Sequence, residues 1–465
     1  MVRFGTDGWR DVIAENFTFE NVRRASQAYA SHIRAHHPEG APVVVGYDTR
    51  FMARNFAQAC AEVLSANGLT VHLSGQYLPT PALSYAVKRF GAVGGVMITA
   101  SHNPPQYCGF KLKGSHGGSA TPQMVQEVEN HLGTVPAVFD AGRHPIHTFD
   151  IQRAYFDHLM QVLDLGLLKH RPLRFFHDSM GGAGCGWIRD FLQHAGLDHI
   201  DFQEVHPEPN PMFYGVCPEP IPQNLQPLCE VMQQEKGLTF AAVTDGDADR
   251  IGAVVAGGHF FNSHQIFAVL LKHLHDRGSR GRVIKTVSVS ALLDVLCEKL
   301  DLEVTTTPIG FKYITEEMLK GDVLIGGEES GGLGMPDHLP ERDGILNALL
   351  LLEAVAHSGK SLPALFAELE AFTGIHHAYD RLDLHLPTQE AALEAVARLL
   401  QNPSFLGRSV LHVESRDGTK WHLEGHAWLM VRSSGTEPVL RVYCEAPTST
   451  EVQDLLQSAR ALMQS

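Results

Sequence analysis

The chain of 465 residues is poor in cysteine, in net positive charge and in long apolar runs. Its seven cysteines are scattered, odd in number and without metal-ligand spacing, which indicates reduced thiols in a cytoplasmic protein. A formal charge of −15 argues against broad binding of nucleic acids or anionic membranes. No apolar segment follows Met1 as in a signal peptide, and no run approaches the roughly 18 residues of a membrane span. An anionic substrate would therefore have to meet local cationic groups.

Strand-like and helix-like hydrophobic patterns alternate almost throughout the chain, which predicts an α/β fold of several domains. The pattern predicts strands at residues 43–47, 70–73, 174–176 and 282–284, and helices at residues 55–67, 187–195 and 291–300. Asp343 is expected to cap a largely buried helix that ends at Gly359. Thr448 and Glu451 predict a capping box before an amphipathic helix that continues to Met463.

Two features that suggest a ligand site are better explained as ordinary structure. The glycines at residues 181–186 do not fit G-x-G-x-x-G in any register, so we expect a tight strand-to-helix turn rather than a dinucleotide site. Neither of the histidine pairs, His36–His37 and His376–His377, lies in a metal-ligand pattern.

The run Thr-Ala-Ser-His-Asn-Pro-Pro at residues 99–105 follows the apolar segment 94–98. This order places Ser101 at the carboxyl end of a strand, where open α/β sheets bind their ligands. The proline after Asn103 prevents the turn from continuing as a helix. Serine, histidine, asparagine and proline are also common in ordinary polar turns, so this run by itself leaves both interpretations open.

Three acids alternate with small residues at positions 245–249, after the apolar stretch 240–243. Alternate residues of an extended segment point to one side, so the carboxylates of Asp245, Asp247 and Asp249 should face one another. A hard divalent cation would remove their repulsion. An EF-hand is excluded, because Arg250 and Ala256 stand where its glycine and glutamate would be. A solvated acidic turn is the alternative, although the apolar stretch that precedes the aspartates favours a partly buried loop.

Two later segments suit a sugar phosphate. Residues 327–332, Gly-Glu-Glu-Ser-Gly-Gly, offer acceptors for sugar hydroxyls. Residues 432–438 combine an arginine with hydroxyls and a flexible glycine, and Arg441 follows on an apolar run; such groups suit phosphate oxygens. Either segment alone could be an ordinary polar turn.

In this order, the four segments resemble the α-D-phosphohexomutase superfamily over essentially the whole chain. The resemblance extends to residues 4–10 (Phe-Gly-Thr-Asp-Gly-Trp-Arg), 218–220 and 307–312. Within the superfamily, Gly-Phe-Lys at 310–312 together with residues 326–332 is most similar to phosphoglucomutases. Phosphoglucosamine mutases usually have glutamine in place of Glu329. Bifunctional phosphomannomutase/phosphoglucomutases usually have methionine there and histidine in place of Gly332.

The resemblance implies four domains around a central active-site cleft. The first three would share a mixed α/β sandwich topology, and the smaller fourth would be α+β. The expected segments are a phosphoserine domain at 1–150, a metal-binding domain at 151–260, a sugar-binding domain at 261–373 and a phosphate-binding domain at 374–465.

The resemblance also implies a chemistry in which Ser101 carries a phosphoryl group and hands it to a hexose monophosphate. Ser101 and the three aspartates would bind one Mg²⁺, and glucose 1,6-bisphosphate would be the intermediate and activator. The implied catalytic neighbours are Arg10, His102, Lys111 and Arg250. The implied substrate-binding residues are Lys285, Gly310, Lys312, Glu328, Ser330, Arg432, Ser434, Gly435, Thr436 and Arg441. Lys111 could act as a base only if burial or positive neighbours lowered its pKa.

The resulting prediction is an isomerase, a phosphoglucomutase acting on small hexose phosphates, with no nucleic-acid or membrane partner. Phosphomannomutase, mixed specificity and phosphoglucosamine mutase are the close alternatives. A serine-and-metal phosphatase and a catalytically silent sugar-phosphate sensor are alternatives of other classes. Cys108 stands where the family usually has asparagine, which predicts a looser loop around Lys111.

Overall fold

The computed structural model of the protein describes residues 2–139, 144–169, 171–401, 405–433 and 439–464. The chain divides into two compact units, Met1–Gly281 with Gly310–Leu365, and Arg282–Ile309 with Phe366–Ser465. Among the described residues, none of the helices has both the length and the apolar character of a membrane span.

The first part of the chain forms a six-stranded sheet with helices. Its elements are β1 (Trp9–Val12), α1 (Phe19–His36), β2 (Pro42–Tyr47), α2 (Ala53–Ala66), β3 (Thr70–Ser74), α3 (Thr80–Arg89), β4 (Gly94–Ile98), β5 (Tyr107–Gly114), α4 (Pro122–Asn130) and β6 (Ile146–Phe149). The strand order is β1-β5-β4-β2-β3-β6. Strand β2 is parallel to β3 and β4, whereas β5 is antiparallel to β4 and β1. The fully buried valines of β2 explain its central position, because parallel strands are covered on both faces.

The next part repeats this α/β arrangement with a five-stranded sheet. Its elements are α5 (Gln152–Val162), α6 (Leu165–Lys169), β7 (Arg174–Asp178), α7 (Trp187–His194), β8 (Asp201–Val205), α8 (Gln226–Met232), β9 (Phe240–Thr244), β10 (Ile251–Val255), β11 (His259–Phe261) and α9 (Ser263–Asp276). The order is β11-β10-β9-β7-β8. As predicted, the glycine-rich run before α7 is a turn, in which Gly181 and Gly186 both have φ of +77°.

After residue 281 the chain alternates between the units: residues 282–309 belong to the second unit, 310–365 to the first, and those from 366 onward to the second again. The second unit takes β12 (Arg282–Thr286), α10 (Leu292–Lys299) and β13 (Val304–Thr307), and the first unit takes α11 (Phe311–Met318), β14 (Val323–Gly327), β15 (Leu333–Met335), β16 (Leu339–Arg342) and α12 (Gly344–Ser358). Strands β12 and β13 pair in parallel, and β15 pairs antiparallel with β14 and β16. The expected caps of α12 are confirmed: Asp343 accepts a hydrogen bond from the Leu346 amide, and Gly359 has φ of +69°.

The C-terminal part is a smaller α+β arrangement with an antiparallel sheet, as expected. Its strands are ordered β17-β21-β20-β19-β18. The elements are α13 (Leu362–Thr373), β17 (Ala378–His385), α14 (Gln389–Gln401), β18 (Val410–Glu414), β19 (Thr419–Leu423), β20 (Trp428–Ser433), β21 (Val439–Ala446) and α15 (Ser449–Gln464). Half of the predicted capping box is present at α15. Thr448 Oγ1 accepts from the Glu451 amide at 3.3 Å, but the Glu451 carboxylate bonds to the Thr448 hydroxyl.

Candidate active site

Ser101 lies three residues beyond β4 and is fully buried. Its backbone has φ of +51°, a conformation that is costly for a residue other than glycine. The amide donates to Thr99 Oγ1 at 2.9 Å, and the Oγ donates to Asp245 Oδ2 at 2.7 Å. A Cβ on Gly246 would collide with the Ser101 carbonyl oxygen, so glycine is needed for the acidic loop to approach this closely. The structure therefore brings the first two sequence motifs together.

Arg50 holds the Ser101 loop in shape, and sequence reasoning missed it. Its guanidinium is fully buried and pairs with Asp48 at 3.2 Å. It donates hydrogen bonds of 2.6–2.9 Å to four backbone carbonyl oxygens of the loop, those of Ser101, Asn103, Pro104 and Tyr107. Burial raises the pKa of Asp48 to about 6, although the Arg50 charge acts to lower it. The fork of donors makes Arg50 the residue that fixes the loop backbone.

The three aspartates lie in the loop between β9 and β10, and all are fully buried. One carboxylate oxygen from each lies within 4.8 Å of the other two. Asp247 Oδ1 and Asp249 Oδ1 have no hydrogen-bond partner among the described residues. Unpaired buried carboxylate oxygens are costly, and a hard divalent cation prefers such ligands. This part of the chain therefore fits Mg²⁺.

The electrostatics of the cluster show the repulsion that a cation would relieve. Burial, followed by the charges of Asp247 and Asp249, raises the pKa of Asp245 well above its ordinary value. Burial and Asp247 likewise raise the pKa of Asp249 against the opposing Arg342. Burial acts in the same direction on Asp247, but the Lys111 ammonium and hydrogen bonds from Lys111 and Thr80 together lower the pKa of that carboxyl.

Lys111 reaches the acidic loop from β5. Its Nζ lies 2.7 Å from Asp247 Oδ2 and 2.9 Å from both Asp249 Oδ2 and Asp7 Oδ2. Burial acts to lower the pKa of Lys111, but these three carboxylates raise it above the ordinary lysine value. These protein groups by themselves do not supply the lowered pKa that a base at Lys111 would need, because the nearest charges are negative.

Cys108 lies inside β5, opposite Asp11 of β1, rather than in a loop. Its side chain is fully buried in the core of the first sheet. The cysteine that replaces the family's usual asparagine is therefore packed inside a strand. The prediction that it loosens a loop around Lys111 is not supported, because Cys108 does not lie in a loop.

Asp7 and Arg342 are the other site residues that sequence reasoning left out. Arg342 Nη2 lies 2.9 Å from Asp7 Oδ1 and 2.8 Å from Asp249 Oδ2. Asp7 also pairs with Arg10, whose Nη1 donates to Asn103 Oδ1 at 3.0 Å. Two sequence features could have indicated these residues. Asp7 lies inside the motif at residues 4–10, and Arg342 lies in the charged triplet 341–343, which directly follows a pair of apolar residues.

Most of the remaining predicted residues of the first unit lie close to these groups. The Arg250 amide donates to Asp245 Oδ1 at 3.0 Å, and Arg250 Nη1 lies 3.9 Å from Glu219 Oε1. His102 Nδ1 lies 3.4 Å from Ser101 Oγ. Glu328 Oε1 accepts from the Gly310 amide at 3.1 Å, which connects residues 307–312 to residues 327–332.

Two more of the predicted sugar-associated residues show less specific surroundings. Lys312 lines a cavity together with Asp7 and Lys111. Ser330 is partly exposed at the end of the Glu328 segment. Their roles in binding substrate stay predictions.

Three of the predicted substrate residues that the structure describes belong to the second unit. Lys285 is buried, and its Nζ donates to Asp294 Oδ2 at 2.6 Å. Arg432 and Arg441 are direct cross-strand partners in β20 and β21, and Arg432 Nε donates to Asp417 Oδ1 at 2.8 Å. Like charges directly opposite each other are unfavourable, and each arginine has a carboxylate neighbour: Asp417 for Arg432, and Asp383 Oδ2 at 3.9 Å from Arg441 Nε. Ser434, Gly435 and Thr436 lie outside the described residues.

Comparison with known families explains the order of these motifs. Four family models match in sequence, described as phosphoglucomutase/phosphomannomutase alpha/beta/alpha domains I, II and III and the C-terminal domain. They cover residues 1–137, 153–258, 262–372 and 385–462. The chain belongs to the phosphoglucomutase/phosphomannomutase family. It is therefore an isomerase of the phosphohexomutase class, and the predicted four-domain α/β organisation is confirmed. The boundaries at 150, 260 and 373 stay predictions.

Relatives within the family carry different sugar names. The chain is 29% identical over 473 residues to a phosphoglucomutase/phosphomannomutase of Thermococcus kodakarensis, covering 99% of this chain and 98% of that protein. It is 30% identical over 454 residues to a phosphoglucosamine mutase of Limosilactobacillus fermentum, covering 96% and 94%. A crystal structure from Thermus thermophilus, described as a "putative phosphomannomutase", is 45% identical with a TM-score of 0.91, covering 100% of this chain and 99% of that one. These likenesses agree on the phosphohexomutase class and leave the sugar open.

Proposed function

We propose that this family member is a phosphoglucomutase that interconverts glucose 1-phosphate and glucose 6-phosphate. The observation that carries the proposal is the buried Ser101 hydroxyl at 2.7 Å from Asp245, inside a cluster of three aspartates. A phosphoryl group on Ser101 would lie beside this cluster and beside the cations that surround it. Phosphoryl transfer depends mainly on such positioning and charge neutralisation.

The reaction consists of two transfers that leave Ser101 unchanged overall. In the first, the free hydroxyl of a glucose monophosphate bonds to the phosphorus on Ser101, the bond to Oγ breaks, and the hydroxyl proton ends on Oγ. The product is glucose 1,6-bisphosphate. In the second, Ser101 Oγ takes the phosphoryl group from the other end of the sugar, and the proton returns to the sugar oxygen. No water enters either step, which distinguishes the mutase from the phosphatase alternative.

The residues around Ser101 have separate tasks in this proposal. Arg50 holds the loop backbone, and Asp245 accepts the hydrogen bond of the hydroxyl. Lys111 contributes positive charge, because its ammonium lies within 2.9 Å of three carboxylates. Arg10, Arg250 and His102 would contact phosphate oxygens.

Asp245, Asp247 and Asp249, with an oxygen on Ser101, would hold Mg²⁺. The ion would supply charge neutralisation on the moving phosphoryl group.

We expect excess EDTA to stop turnover and added Mg²⁺ to restore it. Asp247→Asn should weaken Mg²⁺ activation by about tenfold or more, because it removes the charge of one ligand. Asp276→Asn, at an exposed aspartate on α9, is the control. Full activity of the wild type in EDTA would contradict the metal assignment.

The choice of glucose depends on Glu329 and Gly332, which match the phosphoglucomutase pattern rather than those of the related mutases. The neighbouring Glu328 is buried, and its Oε1 is already used by the Gly310 amide. Its other oxygen lies 3.6 Å from Arg342 and is the available acceptor for a sugar hydroxyl.

The test is a set of parallel kcat/KM measurements on the 1-phosphates of glucose, mannose, glucosamine and N-acetylglucosamine, each with its bisphosphate. We expect glucose 1-phosphate to be favoured by at least about tenfold, equivalent to about 1.4 kcal/mol in transition-state binding. An equal or greater value for another sugar would overturn the glucose assignment. Release of inorganic phosphate would support the phosphatase alternative, and binding without turnover would support the sensor.

A further inference from the structure

A cluster of two imidazoles and a carboxylate lies where α1 meets α4, and it shares no residue with the candidate active site. His32 and His36 are four positions apart on α1, so their side chains lie on one face of that helix. The sequence expectation considered His36 only with the adjacent His37, whereas its neighbour on the helix face is His32. Glu127 reaches the same place from α4. One potential ligand atom from each residue lies within 4.8 Å of the other two.

Two of the three distances between these atoms are close to those in a metal coordination shell. His32 Nδ1 lies 3.2 Å and His36 Nε2 lies 3.5 Å from the same carboxylate oxygen, Glu127 Oε2. Zinc bonds of about 2.0–2.1 Å in tetrahedral geometry place neighbouring ligand atoms about 3.3 Å apart. The two measured distances lie on either side of that value.

The cluster also contains a buried polar atom that needs a partner. His32 Nδ1 makes no hydrogen bond within the part of the chain that the structure describes, although it lies so close to Glu127. Gln123 Nε2 donates to Glu127 Oε1 at 2.9 Å. This contact fixes the carboxylate and leaves Oε2 directed at the imidazoles, as outer hydrogen bonds do around metal ligands.

We propose that His32, His36 and Glu127 bind a divalent transition metal such as Zn²⁺, which joins α1 to α4. Two imidazoles and one carboxylate favour ions of this class over Mg²⁺ or Ca²⁺, which prefer all-oxygen sites. His36 and Glu127 are partly exposed, so the ion can enter from solvent and hold water in its fourth position. His131, one helical turn after Glu127, is a further imidazole at this end of α4. The site is structural, because no active-site residue contributes to it.

The experiment measures metal binding to the full-length, reduced protein in excess Mg²⁺, which keeps the three aspartates occupied. Co²⁺ titration should give the visible absorption of a tetrahedral or five-coordinate ion, and Zn²⁺ should displace it with one equivalent per chain. Glu127→Gln and His36→Gln should each weaken Zn²⁺ binding by at least about tenfold. His376→Gln, an exposed histidine beside Glu370, is the matched control and should bind as the wild type does.

A second readout separates a metal site from a simple ion pair between protonated histidines and Glu127. Zn²⁺ should raise the thermal midpoint of the wild type and of His376→Gln, but not that of His36→Gln. Mutase activity in Mg²⁺ should be unchanged in His36→Gln, which confirms that this variant is folded. Equal Zn²⁺ affinity and equal thermal response in the wild type, His36→Gln and Glu127→Gln would overturn the proposal.

Discussion

Ser101 shows how much structure is used to place one hydroxyl. Its left-handed backbone is held by the Thr99 hydroxyl on one side and by the Arg50 guanidinium on the other. A strained, buried serine beside three carboxylates is unfavourable for stability alone. The arrangement is therefore better explained by chemistry at Ser101 than by packing.

Ser101→Ala is expected to lower mutase turnover by at least about a thousandfold, because the covalent carrier is lost. Its thermal midpoint should stay close to that of the wild type, since only one hydroxyl is removed. Intact-protein mass spectrometry should find one phosphoryl group on a fraction of the wild type and none on the variant. Ser115→Ala, at an exposed serine of the same part of the chain, is the control. A phosphorylated or active Ser101→Ala protein would contradict the assignment.

Arg50 allows a test of loop positioning that leaves the reacting groups intact. Arg50→Lys keeps the positive charge but cannot satisfy four carbonyl oxygens and Asp48 together. We expect kcat to fall by about 100-fold, as displacement of a reacting atom by about 1 Å can cause, and the thermal midpoint to fall as well. Arg54→Lys, at an exposed arginine of α2, should change neither. Equal kcat in the two variants would show that Arg50 does not position Ser101.

At the scale of single elements, strand β19 contains a buried lysine, Lys420, whose positive charge is unfavourable at that position. Lys420 is buried, donates to the Val287 carbonyl at 2.8 Å, and lies 4.0 Å from the centre of the Trp428 ring. Burial, and then the charge of Lys285, lowers the pKa of Lys420 to about 7. The other charged groups that act on it are Glu445, Asp294 and Glu414.

This lowered pKa predicts a pH dependence of stability with a definite sign. Between about pH 7 and pH 10 the unfolded chain protonates Lys420 while the folded protein does not, so stability rises with pH by about 1.4 kcal/mol per unit. Lys420→Met removes this contribution. The thermal midpoint of the wild type relative to Lys420→Met should therefore rise from pH 7.5 to pH 9.5. Lys320→Met, at an exposed lysine, should show no such trend. A constant difference between the wild type and Lys420→Met would contradict the lowered pKa.

At the scale of the whole molecule, the predicted machinery is divided between the two units. Ser101, the aspartates and Glu328 belong to the first unit, whereas Lys285, Arg432 and Arg441 belong to the second. In the proposed reaction one phosphoserine would serve both ends of the sugar, so the bisphosphate would reorient while its other phosphate is gripped and released. Arg432 and Arg441, paired across two strands, are the described residues proposed for that grip.

Arg432→Ala should raise KM by about tenfold or more, because a charge-assisted hydrogen bond to phosphate is worth about 1.5–3 kcal/mol. It should also release more bisphosphate, so that turnover depends on added glucose 1,6-bisphosphate. Steady-state assays with and without the bisphosphate measure both effects. Arg416→Ala, at a more exposed arginine of the same unit, is the control. If Arg432→Ala had the wild-type KM and depended on added bisphosphate no more than the wild type does, this residue would not hold the phosphate.

Local sequence patterns were sufficient to predict those features that depend on residues close together in the chain. The helix from Gly344 was predictable because Asp343 and Gly359 cap it directly. The convergence of Asp245, Asp247 and Asp249 followed from their spacing, and the order of the segments indicated the family. These features depend on backbone geometry and on side chains close in sequence, so the linear chain contains the relevant information.

Only the tertiary structure decided which distant groups meet. The sequence did not indicate that Arg50 supports the Ser101 loop, that Asp7 and Arg342 join the aspartates, or that Glu127 faces His36. The direction of the pKa shift of Lys111 was decided in the same way. The reason is that a charge responds to all neighbours within a few ångströms, and in a folded chain most of those neighbours come from far along the sequence.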